Sequence, residues 1–532
     1  MSSGVNRRDF MKVAGATAGF AIAAGYSPLS YAQNDKVQIG CIGTGGQGTF
    51  HIRDGLTGTK EIEIKAVCDV FTPHQREAVK YAQVSNSGVY LTPEKKFTDE
   101  ERNLIMAATK PNAYYDYKEM LEKEELDAVV IATPLKTHFP ITMDCLDAGK
   151  FVFCEKTLVD NIEDGRALVT KCHDLNRWVQ VGHQRRYNPK YNMAMCQTFE
   201  ENAIGRVNHI TAQWHRNHYW RRVIPTDYQL SDIEKKYIDD LEKHLNWRIY
   251  RDKSEGLFTE LATHQTDIAN WFMMKIPARV HTFAGLDYWR DGRTVDDNIL
   301  LTYEYEQNPG DPGFIPIDQR SKFQKLNKIN RGYTVRFSYS SILANAKRGA
   351  SELIQGDKGS FELTEMKCFR YGEKVVEQKG DETTSVVSAK STRYASNEAL
   401  LNGVEMLGDV VLETPDVYQF RAFADCIRNG GVPRNNQMVG YATAITAIKA
   451  VESRDAGTVV EIDPDLIKFD FDTPSFYMYD CWDEEDQANA IKIEKPAEGE
   501  GESVEAAPAA EEAPAEAAST EAAPAAGDAP AE

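Results

Sequence analysis

The chain has 532 residues, which is enough for two or three domains with sizeable cores. Its 61 basic and 81 acidic residues give a formal net charge of −20, which argues against nucleic acids and anionic membranes as partners. Much of the acidic excess lies in residues 496–532, a segment rich in Ala, Pro and Glu without Lys or Arg. Because such a segment buries too little apolar surface to offset the entropy of ordering, we expect a disordered tail.

The N-terminus has the pattern of an export signal. Residues 6–12 (NRRDFMK) place two arginines, a Phe and a Lys before an apolar run over 13–24 that is too short and weakly apolar for a membrane span. Residues 30–32 (SYA) fit a small-x-small cleavage site. We expect a twin-arginine signal over residues 1–32, recognised by the twin-arginine translocase, and an exported or periplasmic mature protein without a stable span. The alternative is a basic, disordered N-terminus.

Residues 37–48 (VQIGCIGTGGQG) predict a buried strand followed by a G-x-G-x-x-G turn into a helix. The first glycine permits the tight turn, the second lets backbone approach a pyrophosphate, and the third lets the helix pack on the strand. The helix start would then bind the diphosphate through its free N–H groups and its dipole. The expected cofactor contacts in this turn are Gly43, Thr44, Gly45, Gly46 and Gln47.

The next predicted strand, residues 61–68, ends on Asp69, which lies about 20 residues beyond the last glycine. A carboxylate at this point binds the hydroxyls of the adenosine ribose in dinucleotide-binding folds. No arginine follows it, so a 2′-phosphate would be repelled, and the sequence favours NAD over NADP. The alternative is that Asp69 caps the following helix, since Thr72 and Pro73 resemble a helix start.

Strands and helices alternate over residues 37–188, which predicts a doubly wound parallel sheet and a dinucleotide-binding domain over residues 33–188. Ligands bind such sheets at the carboxyl ends of the strands. Thr133, Pro134, Glu155 and Lys156 follow predicted strands directly and are expected there. Residues 85–111 lack an apolar period and are expected to form an irregular insertion.

Residues 189–475 predict a second domain of the α+β class. Its strands are expected at 206–215, 279–285, 298–306, 333–339, 350–355 and 359–363, with little helix between them, which suits an antiparallel sheet packed by a few helices. Two polar stretches, 309–330 and 374–408, are expected to form long loops. Helices over 415–428 and 438–456 are expected to return to the first domain.

Nine cysteines are an odd count without C-x-x-C spacing, and several of them fall in predicted core strands. We therefore expect buried reduced thiols, and neither a disulfide framework nor a zinc site.

Two further groups of residues suit oxidation or reduction of a hydroxyl. Lys156, at the end of a parallel strand, can stabilise a hydroxyl as it becomes an alkoxide. On the predicted helix over 256–273, His264 lies on the apolar stripe, with Glu260 and Asp267 on the same side. A general base oriented by one of these carboxylates fits this pattern, and a structural histidine fits it equally well. No third or fourth metal ligand can be placed, so no metal is expected.

An aromatic and basic cluster follows in residues 214–222 (WHRNHYWRR) and 246–248 (NWR). Flat rings and guanidinium forks suit a sugar, because the rings stack on its C–H face and the forks bind its hydroxyls. An oligomer interface favours the same residue types, and nucleic acid is a poor third because of the net charge.

Taken together, these residues resemble the family of glucose–fructose oxidoreductase, inositol dehydrogenase and the rhizopine-catabolism oxidoreductase (Gfo/Idh/MocA). The resemblance covers about residues 36–471. It is carried by CIGTGGQG with Asp69, by residues 132–134 (ATP) with His138, by residues 155–157 (EKT), by residues 182–189 (GHQRRYNP), and by Glu260-x-x-x-His264.

The resemblance implies a fold, a cofactor and a set of site residues. The fold is a Rossmann domain joined to an α/β domain on a large open antiparallel sheet, assembled into dimers or tetramers. The catalytic group is Lys156, Glu260 and His264. Together with the positions argued above, the remaining expected cofactor contacts are Asp69, Thr133, Pro134, His138 and Glu155, and the expected substrate contacts are Arg186, Trp214, His215, Arg216, Asn217, Trp247, Arg248 and Asp267.

The sequence departs from the family pattern at two of these positions. Thr157 stands where the family usually has proline, so a looser turn is expected there. Glu260 stands where inositol dehydrogenase-like members have Asp, which is one methylene shorter.

Three functions follow as hypotheses. The first is an exported NAD-dependent oxidoreductase that transfers hydride between a tightly bound cofactor and a sugar, polyol or glycoside hydroxyl. The second is a redox-neutral NAD-dependent glycosidase that oxidises its substrate transiently, because free NAD is scarce outside the cytoplasm. The third is a non-catalytic binding protein, which the intact set of Lys156, Glu260 and His264 argues against.

Overall fold

The computed structural model describes residues 36–90, 95–316, 331–372, 403–408 and 412–481. The expected signal peptide over 1–32 and the expected tail over 496–532 lie outside these residues. So do residues 317–330 and 374–402 of the two expected long loops. No helix within the described ranges is both long and apolar enough to cross a membrane.

The first domain is a six-stranded parallel sheet in the order β3-β2-β1-β4-β5-β6, which is the order of a doubly wound dinucleotide-binding fold. Its strands are β1 (Val37–Ile42), β2 (Ile62–Cys68), β3 (Asn112–Tyr114), β4 (Ala128–Ile131), β5 (Phe151–Cys154) and β6 (Val179–Val181). Strands β1, β4, β5 and β6 are almost wholly buried, because helices cover both faces of the sheet. The predicted α/β fold class is confirmed.

Seven helices accompany this sheet and the passage into the second domain. They are α1 (Gly46–Phe50, continued by a π-helix over His51–Leu56), α2 (Thr72–Ser87), α3 (Asp99–Ala107), α4 (Tyr117–Lys123), α5 (His138–Asp147), α6 (Ile162–Asp174) and α7 (Pro189–Phe199). The expected irregular insertion over 85–111 is therefore wrong in part. Helix α3 forms there because Thr98 and Glu101 make a reciprocal capping box at its start.

The second domain is built on a nine-stranded sheet in the order β14-β13-β12-β11-β7-β10-β9-β8-β15. Its strands are β7 (Val207–His215), β8 (Arg279–Gly285), β9 (Asn298–Gln307), β10 (Tyr333–Ile342), β11 (Ala350–Gly356), β12 (Gly359–Leu363), β13 (Cys368–Gly372), β14 (Val404–Glu405) and β15 (Val460–Glu461). The predicted antiparallel sheet needs one correction. Strands β7 and β10 pair in parallel, so the sheet is mixed. A long stretch of chain connects these two strands. A parallel pair needs such a long connection, because a short hairpin can join only antiparallel strands.

Within the described ranges, four further helices belong to the second domain and its return. They are α8 (Leu241–Leu245), α9 (Thr263–Met273), α10 (Pro415–Asn429) and α11 (Gln437–Ala456). The predicted return of the late helices to the first domain is confirmed. Phe420 and Phe423 of α10 pack against Phe153 in the core of the parallel sheet. The ring of Tyr441 in α11 lies so close to Gly165 of α6 that a Cβ there would stand 2.4 Å from it.

The expectation that all cysteines are reduced is corrected. Cys196 on α7 and Cys481 form a disulfide with a Cα–Cα distance of 5.5 Å, which is in the usual range for such bonds. Neither residue belongs to a recognisable spacing motif, since 285 positions separate them. The other seven cysteines are free thiols, and six of these are buried.

Candidate active site

The turn after β1 has the geometry that a dinucleotide requires. Gly43 has φ +81°, and a Cβ on it would lie 2.6 Å from the Thr133 side chain. A Cβ on Gly48 would lie 2.0 Å from the carbonyl oxygen of Gly43, so only glycine fits at either position. At Gly45 a Cβ would meet only the His74 ring, at 3.5 Å, which leaves this side open for a pyrophosphate. The residues present therefore fit NAD.

Asp69 lies at the carboxyl end of β2 and is 8 % exposed. Its Oδ2 accepts a hydrogen bond from the backbone N–H of Thr44 at 2.7 Å, and its Oδ1 accepts one from the N–H of Phe71 at 2.8 Å. Burial would raise the pKa of Asp69, but these bonds and the neighbouring His74 hold it below its usual range. Asp69 thus joins the glycine turn to Phe71. The alternative that it caps α2 is wrong, because the N–H of Thr72, the first residue of that helix, donates to Glu234.

His138 lies beneath the cofactor turn and does not face an open site. It is 2 % exposed, and its two ring nitrogens lie 2.8 Å from the carbonyl oxygens of Thr133 and Thr157. Thr133 is also bonded through its hydroxyl to Thr137. The expected direct contact of His138 with the cofactor is corrected to a bracing role, because both nitrogens face backbone carbonyls.

Glu155 is also buried, in a chain of acidic and imidazole groups below the cleft. Its Oε1 lies 2.7 Å from Nε2 of His51, and Nδ1 of His51 lies 3.6 Å from Asp416 at the start of α10. The other carboxylate oxygen of Glu155 accepts the backbone N–H of Lys156 at 3.0 Å. Glu155 therefore supports the Lys156 turn from below, which differs from the expected direct contact with the cofactor.

This buried chain predicts a pH dependence of stability. Burial raises the pKa of Asp416 to about 7, although His51 acts in the opposite direction. A carboxyl group with a raised folded pKa stabilises the fold fully below its unfolded pKa, and this contribution is lost as the pH rises towards about 7. We expect the melting temperature to fall by several degrees between pH 5 and pH 8, and Asp416→Asn to remove most of this slope in thermal melts.

The control for this experiment is Asp425→Asn, which removes an exposed carboxylate from the same helix. It should keep the wild-type slope. A slope that Asp416→Asn leaves unchanged would show that Asp416 ionises normally in the folded protein.

The turn that presents Lys156 is held by the second domain. Nζ of Lys156 donates to the carbonyl oxygen of Glu260 at 2.9 Å, and Oγ1 of Thr157 donates to the carbonyl oxygen of Thr259 at 3.0 Å. Thr157 is 2 % exposed, and the peptide bond between it and Lys156 is cis. The expectation of a looser turn at Thr157 is therefore corrected, because its hydroxyl supplies a bond that proline lacks.

His264 lies one turn beyond this contact, on α9, which continues a π-helix over Phe258–Ala262. Its ring centroid is 5.3 Å from that of Trp214 and 6.2 Å from that of His183. Burial holds the pKa of His264 well below its usual value, and the charges of Lys156 and Arg185 act in the same direction. The imidazole is therefore neutral at physiological pH and has a nitrogen lone pair to accept a proton.

Neither carboxylate on this helix orients His264, which corrects that expectation. Oε2 of Glu260 pairs with Nε of Arg248 at 3.0 Å, which brings two of the predicted site residues together. Asp267 pairs with Nε and Nη2 of Arg186, and both residues are 1 % exposed. Because Nη1 of Arg186 donates to a backbone carbonyl as well, we assign this pair a structural role in place of the expected substrate contact.

The aromatic cluster divides between the two faces of the sheet. Trp214 lies on the inner face of β7, beside His264, with the guanidinium groups of Arg185 and Arg216 at 5.2 and 4.8 Å from its ring. His215 points the other way, because side chains alternate along a strand, and it bonds to Ser340 on the outer face. The expected substrate contact of His215 is therefore wrong.

Two other expected substrate residues lie beyond or opposite β7. Asn217 is exposed and forms an isolated backbone bridge with Ala344. Trp247 is half-buried, with the guanidinium of Arg248 4.8 Å from its ring, and Arg248 in turn pairs with Glu260.

Sequence reasoning missed His51, Arg185 and Asp416 as parts of this site. His51 follows the last glycine of the motif by three positions, which is a usable signal for contact with the strand-end Glu155. Arg185 lies in the 182–189 run that carries the resemblance, but that run does not show its distant partner Glu352. Asp416 carries no local signal, because His51 lies far away in the chain. Within the described ranges, no group of three His, Cys, Asp or Glu side chains is arranged to hold a metal ion.

Comparisons with known proteins agree with this geometry. Residues 37–183 match the model of an oxidoreductase family with an NAD-binding Rossmann fold (GFO_IDH_MocA), and residues 193–310 match the GFO/IDH/MocA C-terminal domain. An inositol 2-dehydrogenase of Rubrobacter xylanophilus is 24 % identical over 352 residues, which cover 61 % of this chain and 85 % of that protein.

Two further similarities extend the comparison. An alpha-N-acetylgalactosaminidase of Shewanella oneidensis is 27 % identical over 183 residues, 30 % of this chain and 35 % of that protein. The structure of a levoglucosan dehydrogenase in complex with NADH superposes with a TM-score of 0.53 at 18 % identity, covering 81 % of this chain and 100 % of that chain. With the glycine turn, Asp69 and the two matched domains, the chain belongs to the Gfo/Idh/MocA family of NAD-binding oxidoreductases.

Proposed function

We propose that this protein transfers hydride between its NAD cofactor and a hydroxyl of a sugar, polyol or glycoside, and that the cofactor stays bound between turnovers. The observation that carries the proposal is the meeting of Lys156 and His264 from two domains. The Lys156 ammonium is tied to the helix that carries His264, and the imidazole is buried and neutral beside Trp214.

Each residue of the cleft has its own role in oxidation of the hydroxyl. His264 accepts the hydroxyl proton, because burial and neighbouring cations keep its imidazole unprotonated. Lys156 stabilises the negative charge that develops on oxygen, and in a cleft with little water this interaction is strong. Glu260 holds Lys156 through its carbonyl and Arg248 through its carboxylate. NAD, when bound, supplies the acceptor or donor of the hydride.

A carbohydrate substrate is supported by aromatic and basic groups next to His264 and Glu260. The rings of Trp214 and Trp247 offer flat apolar surface, and Arg216 and Arg248 each lie against one of them at 4.8 Å. Aromatic rings that stack on a sugar, combined with guanidinium groups that bind its hydroxyls, suit a polyhydroxylated ring. The names of the similar inositol dehydrogenase and levoglucosan dehydrogenase agree with this substrate class.

Retention of the cofactor follows from the proposed export. The twin-arginine pattern over residues 1–32 supports a periplasmic or otherwise exported location, and the disulfide between Cys196 and Cys481 is of a kind that persists in oxidising compartments. Free NAD is scarce there, so a bound cofactor must be reoxidised or re-reduced on the protein. Two reactions satisfy this condition: coupled oxidation and reduction of two sugars, or hydrolysis of a glycoside through transient oxidation. The similarity to an alpha-N-acetylgalactosaminidase favours the second as the alternative function.

Product analysis distinguishes these reactions. The purified protein is incubated with sugars, polyols and aryl glycosides, and the products are identified by mass spectrometry together with the NAD/NADH ratio. We expect either an oxidised sugar together with an equal amount of reduced sugar, or a liberated aglycone without net redox change. Binding of sugar without any product would instead favour a non-catalytic protein.

Assembly into a dimer or tetramer is proposed as well, through the outer face of the nine-stranded sheet. Phe283 and Leu300 are cross-strand neighbours on that face and are 62 % and 52 % exposed. Neighbouring exposed apolar side chains of this size favour an interface.

A further inference from the structure

A long segment of the second domain extends over the first. It comprises residues 216–256, between β7 and the π-helix before α9, and is called here the crossing segment. Its regular structure is limited to the five-residue helix α8 and two 3₁₀ turns, Glu234–Lys236 and Trp247–Ile249. Connections of this length in a compact protein commonly cover a binding site.

One carboxylate joins the crossing segment to the dinucleotide domain. Glu234 is 1 % exposed, and its Oε1 accepts the backbone N–H of Thr72, the first residue of α2, at 2.9 Å. The same carboxylate accepts the hydroxyl of Tyr228 at 2.6 Å and the N–H and hydroxyl of Ser231 at 2.7 and 2.6 Å. Four donors converge on this group, three of them from its own segment and one from the other domain.

Aromatic contacts surround this bond at the adenosine end of the cofactor site. The ring of Phe71, two residues beyond Asp69, lies 5.0 Å from that of Tyr228 and 6.4 Å from that of His244. On its other side the Phe71 ring contacts His74, 4.9 Å away, which also pairs with Asp69. The crossing segment therefore packs on the strand end that holds the ribose-binding carboxylate.

The other end of the crossing segment reaches the catalytic groups. Asn246 exchanges hydrogen bonds with the backbone of Arg222, and Arg248, two residues further on, pairs with Glu260. One continuous piece of chain thus touches both ends of the dinucleotide site.

We propose that the crossing segment forms the outer wall of the adenosine pocket, and that the bond from Glu234 to Thr72 sets the rate at which NAD leaves. This inference extends the proposed function, in which the cofactor stays bound between turnovers. Opening the pocket would separate a buried carboxylate from one of its donors and would leave the first N–H of α2 without a partner, so release is slow.

The hydrogen bond between Glu234 and Thr72 is kept over the whole physiological pH range. Burial would raise the pKa of Glu234, but its four donors outweigh that effect and lower the pKa to about 2. The carboxylate consequently keeps its charge at any pH between 5 and 8, and acidification in this range does not release the cofactor.

Release of NADH from the full-length protein tests this inference without a sugar substrate. The protein is loaded with NADH, chased with excess NAD, and the loss of bound nicotinamide fluorescence is followed. We expect Glu234→Gln to release NADH about tenfold to a hundredfold faster than the wild type, because a hydrogen bond to a charged group is lost. Thr72→Pro removes the donor at a helix position that tolerates proline and should have a similar effect.

Asp232→Asn is the matched control, since it makes the same charge change two residues away at a side chain that is fully exposed and bonded only to Lys235 among its described neighbours. It should release NADH at the wild-type rate. If Glu234→Gln and Thr72→Pro also release NADH at the wild-type rate while folding normally by circular dichroism, the bond between Glu234 and Thr72 does not set the release rate and the inference is overturned. The proposed oxidation of a hydroxyl is tested separately by product analysis, because that assay does not depend on the rate of NADH release.

Discussion

Lys156→Ala should lower turnover by about 10²–10³-fold while changing the dissociation constant for NAD little. The expected loss is that of one preorganised donor to a developing oxyanion. NAD affinity is spared because the cofactor contacts come mainly from the glycine turn and Asp69, and Nζ of Lys156 points to the carbonyl of Glu260 in the second domain. Steady-state kinetics on the substrate found by product analysis, with NAD titrations on the same preparations, measures both quantities.

Lys136→Ala is the control for this substitution. Nζ of Lys136 pairs with Asp160 near the same edge of the sheet, and its side chain is 48 % exposed. Removing it takes away the same functional group without touching the cleft, so turnover should remain at the wild-type level. Unchanged turnover in Lys156→Ala would end the assignment of Lys156 as a catalytic residue.

Gly48→Ala should destabilise the fold and abolish NAD binding. The added Cβ would stand 2.0 Å from the carbonyl oxygen of Gly43, which is backbone and cannot rotate away. We expect a loss of about 3 kcal/mol, in the upper range for overpacking, and alanine's better helix propensity returns only about 1 kcal/mol of it. Denaturant unfolding with NAD titration measures both effects.

Gly45→Ala separates cofactor binding from packing. Gly45 has φ −66°, which alanine adopts readily, and its new Cβ would meet only the His74 ring at 3.5 Å. Stability should change by less than about 0.5 kcal/mol, as at other positions without a strained contact. NAD affinity should nevertheless fall, because the methyl group occupies the side from which the pyrophosphate approaches. A Gly48→Ala variant that melts and binds NAD like the wild type would disprove this account of the turn.

Local patterns in the sequence were sufficient for the parallel sheet of the first domain. The glycine spacing, the buried strands and Asp69 each depend on neighbours a few positions away, and the structure confirms the sheet that they predict. Lys156 follows β5, and His264 lies on its helix, for the same reason. The alternation of side chains along β7 was also available, and it would have separated His215 from Trp214.

Features that depend on distant pairings could not be predicted. The parallel pair of β7 and β10, the disulfide to Cys481 and the ion pair of Arg186 with Asp267 each join residues that no local pattern relates. The orientation of Glu260 toward Arg248 is of the same kind, because helical periodicity gives the face of a carboxylate and not its partner. The resemblance to a family could not supply it either, since Glu260 departs from the family pattern.

The return of α10 and α11 has a consequence for the order in which the chain can fold. Phe153 and Trp178 of the parallel sheet are covered by Phe420 and Phe423, and the backbone N–H of Val181 at the sheet edge is bonded to Asn435. During synthesis, the dinucleotide domain therefore stays unfinished until residues near the end of the second domain have left the ribosome. A fragment that stops at residue 188 should aggregate and should not bind NAD. The cofactor would therefore bind only after the helices α10 and α11 have been synthesised.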